Sequence, residues 1–260
     1  MKKLLIIALT TYCVAFAALV YFQATLIYPF NPTQVKPESR LTAFNLITPD
    51  DANLILWAAK PKGKQPTILY FHGNAGNLAN RAERFDRLLD RGYGLVALAY
   101  RGSSGSTGEP IQTTLQADSI LTYLQMNAFI GTPNKVVFYG ESLGTAVALH
   151  LAAKRKPDAI ILEAPFTSLK TLARESMPYF PTSIGLRDTW DSLAQMPQID
   201  MPLLVMHETA DAIMPFEHGT AIFAAAPSPQ KTFRKVEGLG HSGHWSVAGQ
   251  KAIYRFIDGL

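Results

Sequence analysis

The chain contains 260 residues, 48% of them hydrophobic, which is enough for one well-buried domain and too few for two large ones. The formal net charge is +4, but the basic residues are scattered among acidic ones, and the densest basic run covers only residues 154–156. A nucleic-acid-binding surface needs a larger basic patch. Composition and charge therefore predict a single folded domain and exclude a nucleic-acid partner.

Cysteine and histidine usage argues against a bound metal. Cys13 is the only cysteine, so the chain can form neither an intrachain disulfide nor a cysteine-built metal site. The six histidines do not follow the spacing of a known metal-binding motif. We therefore expect neither a metal ion nor another cofactor.

The N-terminal segment has the length and composition of a membrane anchor. Residues 4–22 carry no charge, and a helix of that length spans about 30 Å, the thickness of a bilayer's hydrocarbon layer. Lys2 and Lys3 precede the segment, so the positive-inside rule predicts a cytoplasmic N-terminus and a folded domain on the outer, extracytoplasmic side. Residues 1–25 are assigned to the anchor and residues 26–260 to the domain.

A cleaved signal peptide is the competing interpretation of this segment. Ala15, Phe16 and Ala17 form the small-x-small pattern that a signal peptidase accepts. The apolar run continues beyond that pattern through Phe22, which makes it longer than a usual signal core. This length favours an uncleaved anchor.

The rest of the chain alternates between apolar strands and helices. Predicted strands cover residues 41–47, 53–58, 67–71, 94–100, 136–139, 159–162, 203–207 and 232–236. Helical spacing covers residues 78–91, 111–127, 145–154 and 247–257. The alternation predicts an α/β fold with a mostly parallel sheet that is flanked by helices on both faces.

Residues 166–200 interrupt this alternation and are rich in proline and aromatic side chains. We expect them to form a small cap over the carboxyl ends of the strands, where α/β proteins carry their reactive groups. Apolar side chains of this segment, such as Met177, Phe180 and Leu186, are expected to pack the cap down. The alternative is that they line an acyl-sized pocket.

A candidate nucleophile lies in the run Gly140-Glu141-Ser142-Leu143-Gly144, which follows an apolar strand and precedes a helix. A tight strand-to-helix turn holds such a serine in a strained backbone conformation, which glycines at the flanking positions allow sterically. The turn also aims the N–H of Leu143 at the place where negative charge develops on a tetrahedral intermediate. Ser142 is therefore predicted to act as a nucleophile.

A serine hydroxyl needs a general base, and the base needs an acid that orients it. With this order of elements, the acid follows a later strand and the histidine comes last. Asp211 fits the acid because it lies in the loop after residues 203–207, and Glu163, at an earlier strand end, is the alternative. His241 and His244 both follow the last strand, and His241 is favoured because it lies nearer to the strand end.

A second oxyanion donor is expected in residues 72–77, His-Gly-Asn-Ala-Gly-Asn, which follow the strand that ends at Phe71. The backbone N–H of Asn74 would provide it, since Gly73 and Gly76 allow the loop to fold tightly. The alternative is a glycine-rich turn without a catalytic role. A phosphate-binding loop is disfavoured because no Gly-Lys-Ser/Thr follows.

Taken in order, these motifs resemble the α/β-hydrolase superfamily, and more narrowly its membrane-anchored branch of bud-emergence-type and serine aminopeptidase-like hydrolases. The matching runs are HGNAGN at 72–77, YRG at 100–102, GESLG at 140–144, EAPFTSL at 163–169, the acid loop that ends at Pro215, and Gly-His at 240–241. Two positions depart from the pattern. Ala99 replaces a frequent aspartate, and Glu208 replaces the usual glycine of the acid loop.

The resemblance implies an α/β-hydrolase fold, a triad of Ser142, Asp211 and His241, an oxyanion hole at Asn74 and Leu143, and an acyl-enzyme mechanism. The predicted function is a serine hydrolase that cleaves an ester or thioester of a small-molecule or lipid-like acyl substrate. An aminopeptidase-like amide hydrolase and an acyltransferase use the same residues and remain alternatives. A catalytically inactive membrane scaffold is the alternative outside enzymes.

Overall fold

One eight-stranded sheet organises the chain in the computed structural model, which describes residues 1–38, 40–238, 240–241 and 243–260. The strands are β1 (Thr42–Ile47), β2 (Asn53–Ala59), β3 (Thr67–Phe71), β4 (Gly94–Leu98), β5 (Val136–Glu141), β6 (Ala159–Glu163), β7 (Leu203–Glu208) and β8 (Lys231–Val236). Their spatial order is β1-β2-β4-β3-β5-β6-β7-β8. The pairs β1–β2 and β2–β4 are antiparallel and the remaining pairs are parallel, so the predicted mostly parallel sheet is confirmed.

Helices cover both faces of this sheet, as the alternating pattern predicted. They are α1 (Lys2–Tyr21), α2 (Gln23–Ile27), α3 (Ala82–Asp90), α4 (Gln112–Ile130), α5 (Leu143–Lys154), α6 (Leu169–Ser176), α7 (Thr182–Gly185), α8 (Phe216–Ala225) and α9 (Val247–Asp258). Neighbouring strand residues enter opposite apolar layers: Leu56 of β2 belongs to the layer that contains Leu149 of α5, whereas Trp57 packs with Phe85 of α3 in the other layer. The sheet is therefore buried on both sides.

The predicted N-terminal apolar helix is present as α1, which is long and apolar enough to cross a membrane. The side chains of Leu4 and Leu9 near its start are largely exposed. Beyond Phe22 the short helix α2 follows, which the sequence did not predict. The Gln23 side chain stabilises this junction, since its Nε2 donates to the carbonyl oxygens of Val20 at 2.6 Å and Gly185 at 3.1 Å.

Two helices and a 3₁₀ turn at Leu193–Gln198 lie within residues 166–200, the predicted cap segment. Helices α6 and α7 follow the carboxyl end of β6. The side chain of Ser168 caps α6 by accepting a hydrogen bond from the Thr171 N–H at 3.0 Å. The segment then returns to the sheet at β7.

Candidate active site

Ser142 lies at the turn between β5 and α5, with φ 51° and ψ −117°. This left-handed conformation is strained for a residue with a Cβ. The close packing around it depends on the flanking glycines. A Cβ added to Gly144 would lie 2.0 Å from the carbonyl oxygen of Phe71, and one added to Gly140 would lie 2.5 Å from that of Gly144. The turn therefore has the strained, glycine-dependent geometry that the sequence predicts.

The hydroxyl of Ser142 is buried, and its Oγ hydrogen-bonds to no group in the described ranges. Its backbone N–H donates to the carbonyl oxygen of Glu163 at 2.8 Å, which ties the turn to the end of β6. The loop of residues 72–77 lies directly against it, because a Cβ added to Gly73 would meet the Ser142 Cβ at 3.4 Å. The serine thus has a fixed backbone and an unpaired hydroxyl.

Asp211 and His241 form a hydrogen-bonded pair. Nδ1 of His241 lies 2.7 Å from Oδ2 of Asp211 and donates to it, while the N–H groups of Ile213 and Met214 each donate to Oδ1 at 2.9 Å. Burial alone would raise the pKa of Asp211, but the hydrogen bonds from His241 and Met214 outweigh it and hold that pKa below its ordinary value. The carboxylate is therefore ionised near neutral pH and orients the imidazole.

The structure thus brings two of the three predicted triad residues into direct contact. Within the described ranges, the Ser142 Oγ is not hydrogen-bonded to His241. In hydrolases without substrate this bond is often long, and it tightens when substrate binds. All three residues nevertheless follow the carboxyl ends of strands of the same parallel run, β5, β7 and β8.

His244, the alternative base, occupies a different environment. It is buried, its Nδ1 donates to the carbonyl oxygen of His241 at 2.9 Å, and its Nε2 accepts the N–H of Glu208 at 3.1 Å. Both ring nitrogens are therefore occupied by backbone groups. The ring links the end of β7 to the loop that carries His241.

Glu208, which replaces the family's usual glycine, ties the same two loops together. Its Oε2 accepts the N–H of Ala210 at 2.9 Å and its Oε1 accepts the N–H of Gly238 at 2.6 Å. The first bond holds the loop of Asp211, and the second holds the segment that leads to His241. The signal for this role was visible in the sequence as a charged residue at the end of a buried strand, but its partners were not.

Glu163, the alternative acid, does not contact His241 in the described structure. Arg84 binds its carboxylate with two hydrogen bonds of 2.8 and 3.1 Å, and the hydroxyl of Tyr139 donates to it as well. Its histidine neighbour is His244, whose Nδ1 lies 3.9 Å away. The carboxylate is therefore engaged by Arg84.

A second, half-buried ion pair lies next to the turn. Arg81 donates to both oxygens of Glu141, at 2.9 and 3.2 Å, and the Tyr70 hydroxyl adds a bond of 2.6 Å. Burial alone would raise the pKa of Glu141, but the charges of Arg84 and Arg81 outweigh it and lower that pKa strongly. These arginines were missed by the sequence reasoning, because nothing in their spacing indicates which carboxylates they bind.

The proposed oxyanion loop is held by contacts on both sides. The N–H of Asn31 donates to the carbonyl oxygen of Gly76 at 3.0 Å, and Nη1 of Arg81 donates to that of Ala75 at 2.6 Å. Gly76 has φ 74°, which explains the glycine.

His72 at the start of this loop is fully buried. Its Nδ1 lies 2.7 Å from the carbonyl oxygen of Gly73, and its ring packs against Tyr100 at a centroid distance of 4.2 Å. Burial, with a smaller effect from the charge of Arg81, lowers the pKa of His72 to about 3. The ring is therefore neutral at physiological pH.

An apolar cavity of about 240 Å³ begins beside this loop. Asn74 and Leu143, the two predicted oxyanion residues, both line it. Met177 and Leu186 of the cap segment, which we expected to pack the cap down, also face this cavity. The space is suited to a hydrophobic ligand that reaches the turn at Ser142.

Comparison with known proteins places this fold and these motifs in a family. A family model described as the α/β hydrolase fold matches residues 66–186. Protein bem46 of Schizosaccharomyces pombe is 32% identical over 252 residues, an alignment that covers 88% of this chain and 83% of bem46. The chain belongs to the α/β-hydrolase family. The resemblance to the bud-emergence-type hydrolases is thereby confirmed.

Two further similarities of this α/β hydrolase are to a protein named as a lipase and to the structure of an esterase. The lysophosphatidylserine lipase ABHD12 of Rattus norvegicus is 35% identical over 192 residues, which are 65% of this chain and 47% of the lipase. The hydrolase thus spans about half of that lipase's length. The structure of the esterase Pf2001 from Pyrococcus furiosus superposes with a TM-score of 0.70 at 19% identity, covering 88% of this chain and 99% of the esterase, and it shows the shared fold.

Proposed function

We propose that this α/β hydrolase is a serine hydrolase that cleaves an ester or thioester bond through an acyl-enzyme intermediate on Ser142. The observation that carries the proposal is the hydrogen bond between Asp211 and His241, in loops that follow the carboxyl ends of β7 and β8. A buried carboxylate that accepts from Nδ1 leaves Nε2 as the basic atom of the imidazole. This is the arrangement that a serine nucleophile requires.

In the proposed reaction, Ser142 attacks the acyl carbonyl while His241 accepts its proton. Asp211 keeps the imidazole in the required tautomer and stabilises the imidazolium that forms. The N–H groups of Asn74 and Leu143 donate to the oxyanion of the tetrahedral intermediate. His241 then protonates the leaving group, and water, activated by the same imidazole, releases the acyl chain.

A lipid-like substrate is supported by the cavity and by the relatives. The cavity begins at both proposed oxyanion donors, and no charged side chain of the described residues lines it. One relative is named a lysophosphatidylserine lipase. An acyl chain in the cavity would bring its carbonyl carbon to Ser142 and leave the polar leaving group outside.

We further propose that α1 anchors the enzyme in a membrane with its N-terminus in the cytoplasm and the catalytic domain on the outer side. Lys2 and Lys3 at the start of α1 support this orientation. The contacts between the end of α1 and the folded domain support an uncleaved anchor, since Gln23 bridges Val20 and Gly185. The possible cleavage pattern at residues 15–17 lies within the part of α1 that packs against the domain.

A fluorophosphonate probe tests the proposed nucleophile. It reacts covalently with an activated serine, so wild type is expected to be labelled and Ser142→Ala is expected to lose the label. Ser119→Ala is the matched control, because Ser119 is also buried but lies in α4 and bonds to the carbonyl of Gln116. Equal labelling of wild type and Ser142→Ala would contradict the proposal, and an unlabelled wild type would support the scaffold alternative.

A further inference from the structure

The end of the anchor helix forms one wall of the apolar cavity. Phe16, Leu19 and Val20 of α1 line it together with cap residues. Their spacing of three and four residues places them on one side of the helix. They are partly buried, whereas residues 2–14 are exposed. The helix therefore presents a specific face to the cavity and leaves most of its length free.

Specific contacts hold this face of α1 against the cap segment. The Tyr12 hydroxyl donates to the carbonyl oxygen of Tyr179 at 2.7 Å, and the Tyr12 ring stacks on Phe180 at a centroid distance of 5.2 Å. Farther along, α1 approaches α7 so closely that a Cβ on Gly185 would lie 2.4 Å from Cγ2 of Val20. The wall is therefore part of the packed structure rather than a loose tether.

The volume and lining of the cavity favour one kind of ligand. Its volume of about 240 Å³ is below the roughly 300 Å³ at which pockets for drug-sized ligands begin. Its described lining consists of apolar side chains with a few uncharged polar ones such as Ser176 and Thr182. A single hydrocarbon chain fits this volume and this lining better than a charged group.

The cap lies beside the apolar part of α1 and not beyond its end. Tyr12, which contacts the cap, precedes Phe22 by ten residues, or about 15 Å along the helix. Residues 176–186 of the cap are uncharged, and Tyr179 and Ile184 among them are 86% and 80% exposed. If α1 spans a bilayer, this part of the cap lies in the hydrocarbon layer, where an apolar chain enters without crossing water.

We propose that α1 is part of the substrate site: Phe16, Leu19 and Val20 form the distal wall of a subsite for one linear acyl chain, which enters laterally from the bilayer. The inference rests on the proposed function, because the acyl chain is placed by its carbonyl at Ser142. It adds that the anchor helix sets the chain length that the enzyme accepts. An anchor that served only as a tether would have no such effect.

Chain-length selectivity of the full-length enzyme in detergent micelles tests this subsite. In Leu19→Trp a larger ring fills the distal end, so the ratio of kcat/KM for p-nitrophenyl octanoate to that for p-nitrophenyl acetate is expected to fall at least tenfold. Leu9→Trp is the matched control, since Leu9 lies on the same helix, is 65% exposed and does not line the cavity. It is expected to keep the wild-type ratio. An unchanged ratio in Leu19→Trp would overturn the inference.

A photochemical measurement on the wild-type enzyme tests the same subsite without a substitution. Its outcome does not depend on whether the tryptophan of Leu19→Trp displaces α1. A long-chain fluorophosphonate with a diazirine at the end of its chain is first attached to the enzyme and then irradiated. The expected crosslink is to the tryptic peptide of residues 4–40, which contains the distal wall, since trypsin does not cleave between Lys36 and Pro37. If the probe attaches to the enzyme but crosslinks only to other peptides, the subsite is refuted and the proposed function stands. If the probe does not attach, the result counts against the proposed function itself.

Discussion

His241 and His244 lie three residues apart, yet their ring nitrogens meet different partners. His241 faces the carboxylate of Asp211, whereas both nitrogens of His244 are bound to backbone groups of His241 and Glu208. The first arrangement supports a base and the second supports a positioning residue. Measuring both the activity and the stability of a variant at each position therefore distinguishes the two roles.

His241→Ala is expected to abolish ester turnover with little loss of stability, because the side chain is partly exposed and its removal leaves the loops in place. His244→Ala is expected largely to spare turnover, as the sequence already led us to expect. The structure adds a loss of about 1–3 kcal/mol in the free energy of unfolding, since buried backbone groups lose their partners. Steady-state kinetics and urea unfolding of both variants check this. A His244→Ala enzyme that is fully stable but inactive would reassign the base.

His72 makes the stability of the fold depend on pH. Its folded-state pKa is about 3, against 6.5 for the free side chain, so between these values the unfolded chain binds a proton that the folded protein does not. The free energy of unfolding therefore falls as the pH drops through this window. The full contribution is on the order of 5 kcal/mol.

His72→Asn is expected to remove this contribution, because the asparagine amide does not titrate. The variant is less stable than wild type at pH 7.5, and the gap between the two should narrow as the pH falls towards 5. Urea unfolding at pH 7.5, 6 and 5 measures the gap. A gap that stays constant over this range would show that His72 is protonated equally in both states.

At the scale of elements, α3 and the 3₁₀ turn before it are joined to the sheet by buried ion pairs. Arg81 binds Glu141 at the end of β5, and Arg84 binds Glu163 at the end of β6. These strands end at the candidate active site, so the ion pairs support the backbone on which Ser142 lies. The site is thereby coupled to a helix on the opposite side of the sheet from α5.

Glu163→Gln is expected to destabilise the fold by about 1–3 kcal/mol, because Arg84 loses its nearest carboxylate and keeps only Glu141, at 3.7 Å, as a counter-charge. Asp200→Asn, which removes an exposed partner of Lys156, is the control and should leave the unfolding transition almost unchanged. Thermal and urea unfolding of the two variants make the comparison. If Glu163→Gln kept full stability but lost turnover, Glu163 would become the candidate acid in place of Asp211.

The elements themselves were largely predictable because their signals are local. β3 has the predicted bounds, and the glycines around Ser142 indicated the turn that the structure contains. The predicted helix over residues 78–91 instead begins with a 3₁₀ turn at Leu78–Arg81, where the Asn80 side chain accepts the N–H of Asn77 at 2.9 Å. That difference depends on a side-chain hydrogen bond which helical spacing does not encode.

At the scale of the whole molecule, the two N-terminal lysines and the apolar helix predict a membrane topology that can be tested. A fusion of alkaline phosphatase to the C-terminus should be active in a bacterial host, because this enzyme folds only outside the cytoplasm, and a green fluorescent protein fusion at the same place should be dark. Replacing Lys2 and Lys3 by glutamate should reduce the phosphatase signal. A fluorescent wild-type fusion would reverse the proposed orientation.

The sequence by itself determined the α/β alternation, the apolar N-terminal helix, the turn at Ser142 and the choice of Asp211 and His241 as partners to be tested. These depend on periodicity, on glycine sterics and on the order of strands, which are properties of short segments. Only the tertiary structure decided that Glu163 binds Arg84, that Glu208 ties two loops together, and that α1 packs on the cap. Tyr12 and Tyr179 are 167 residues apart in the chain, and contacts of that kind arise from how packed surfaces meet, which no local pattern specifies.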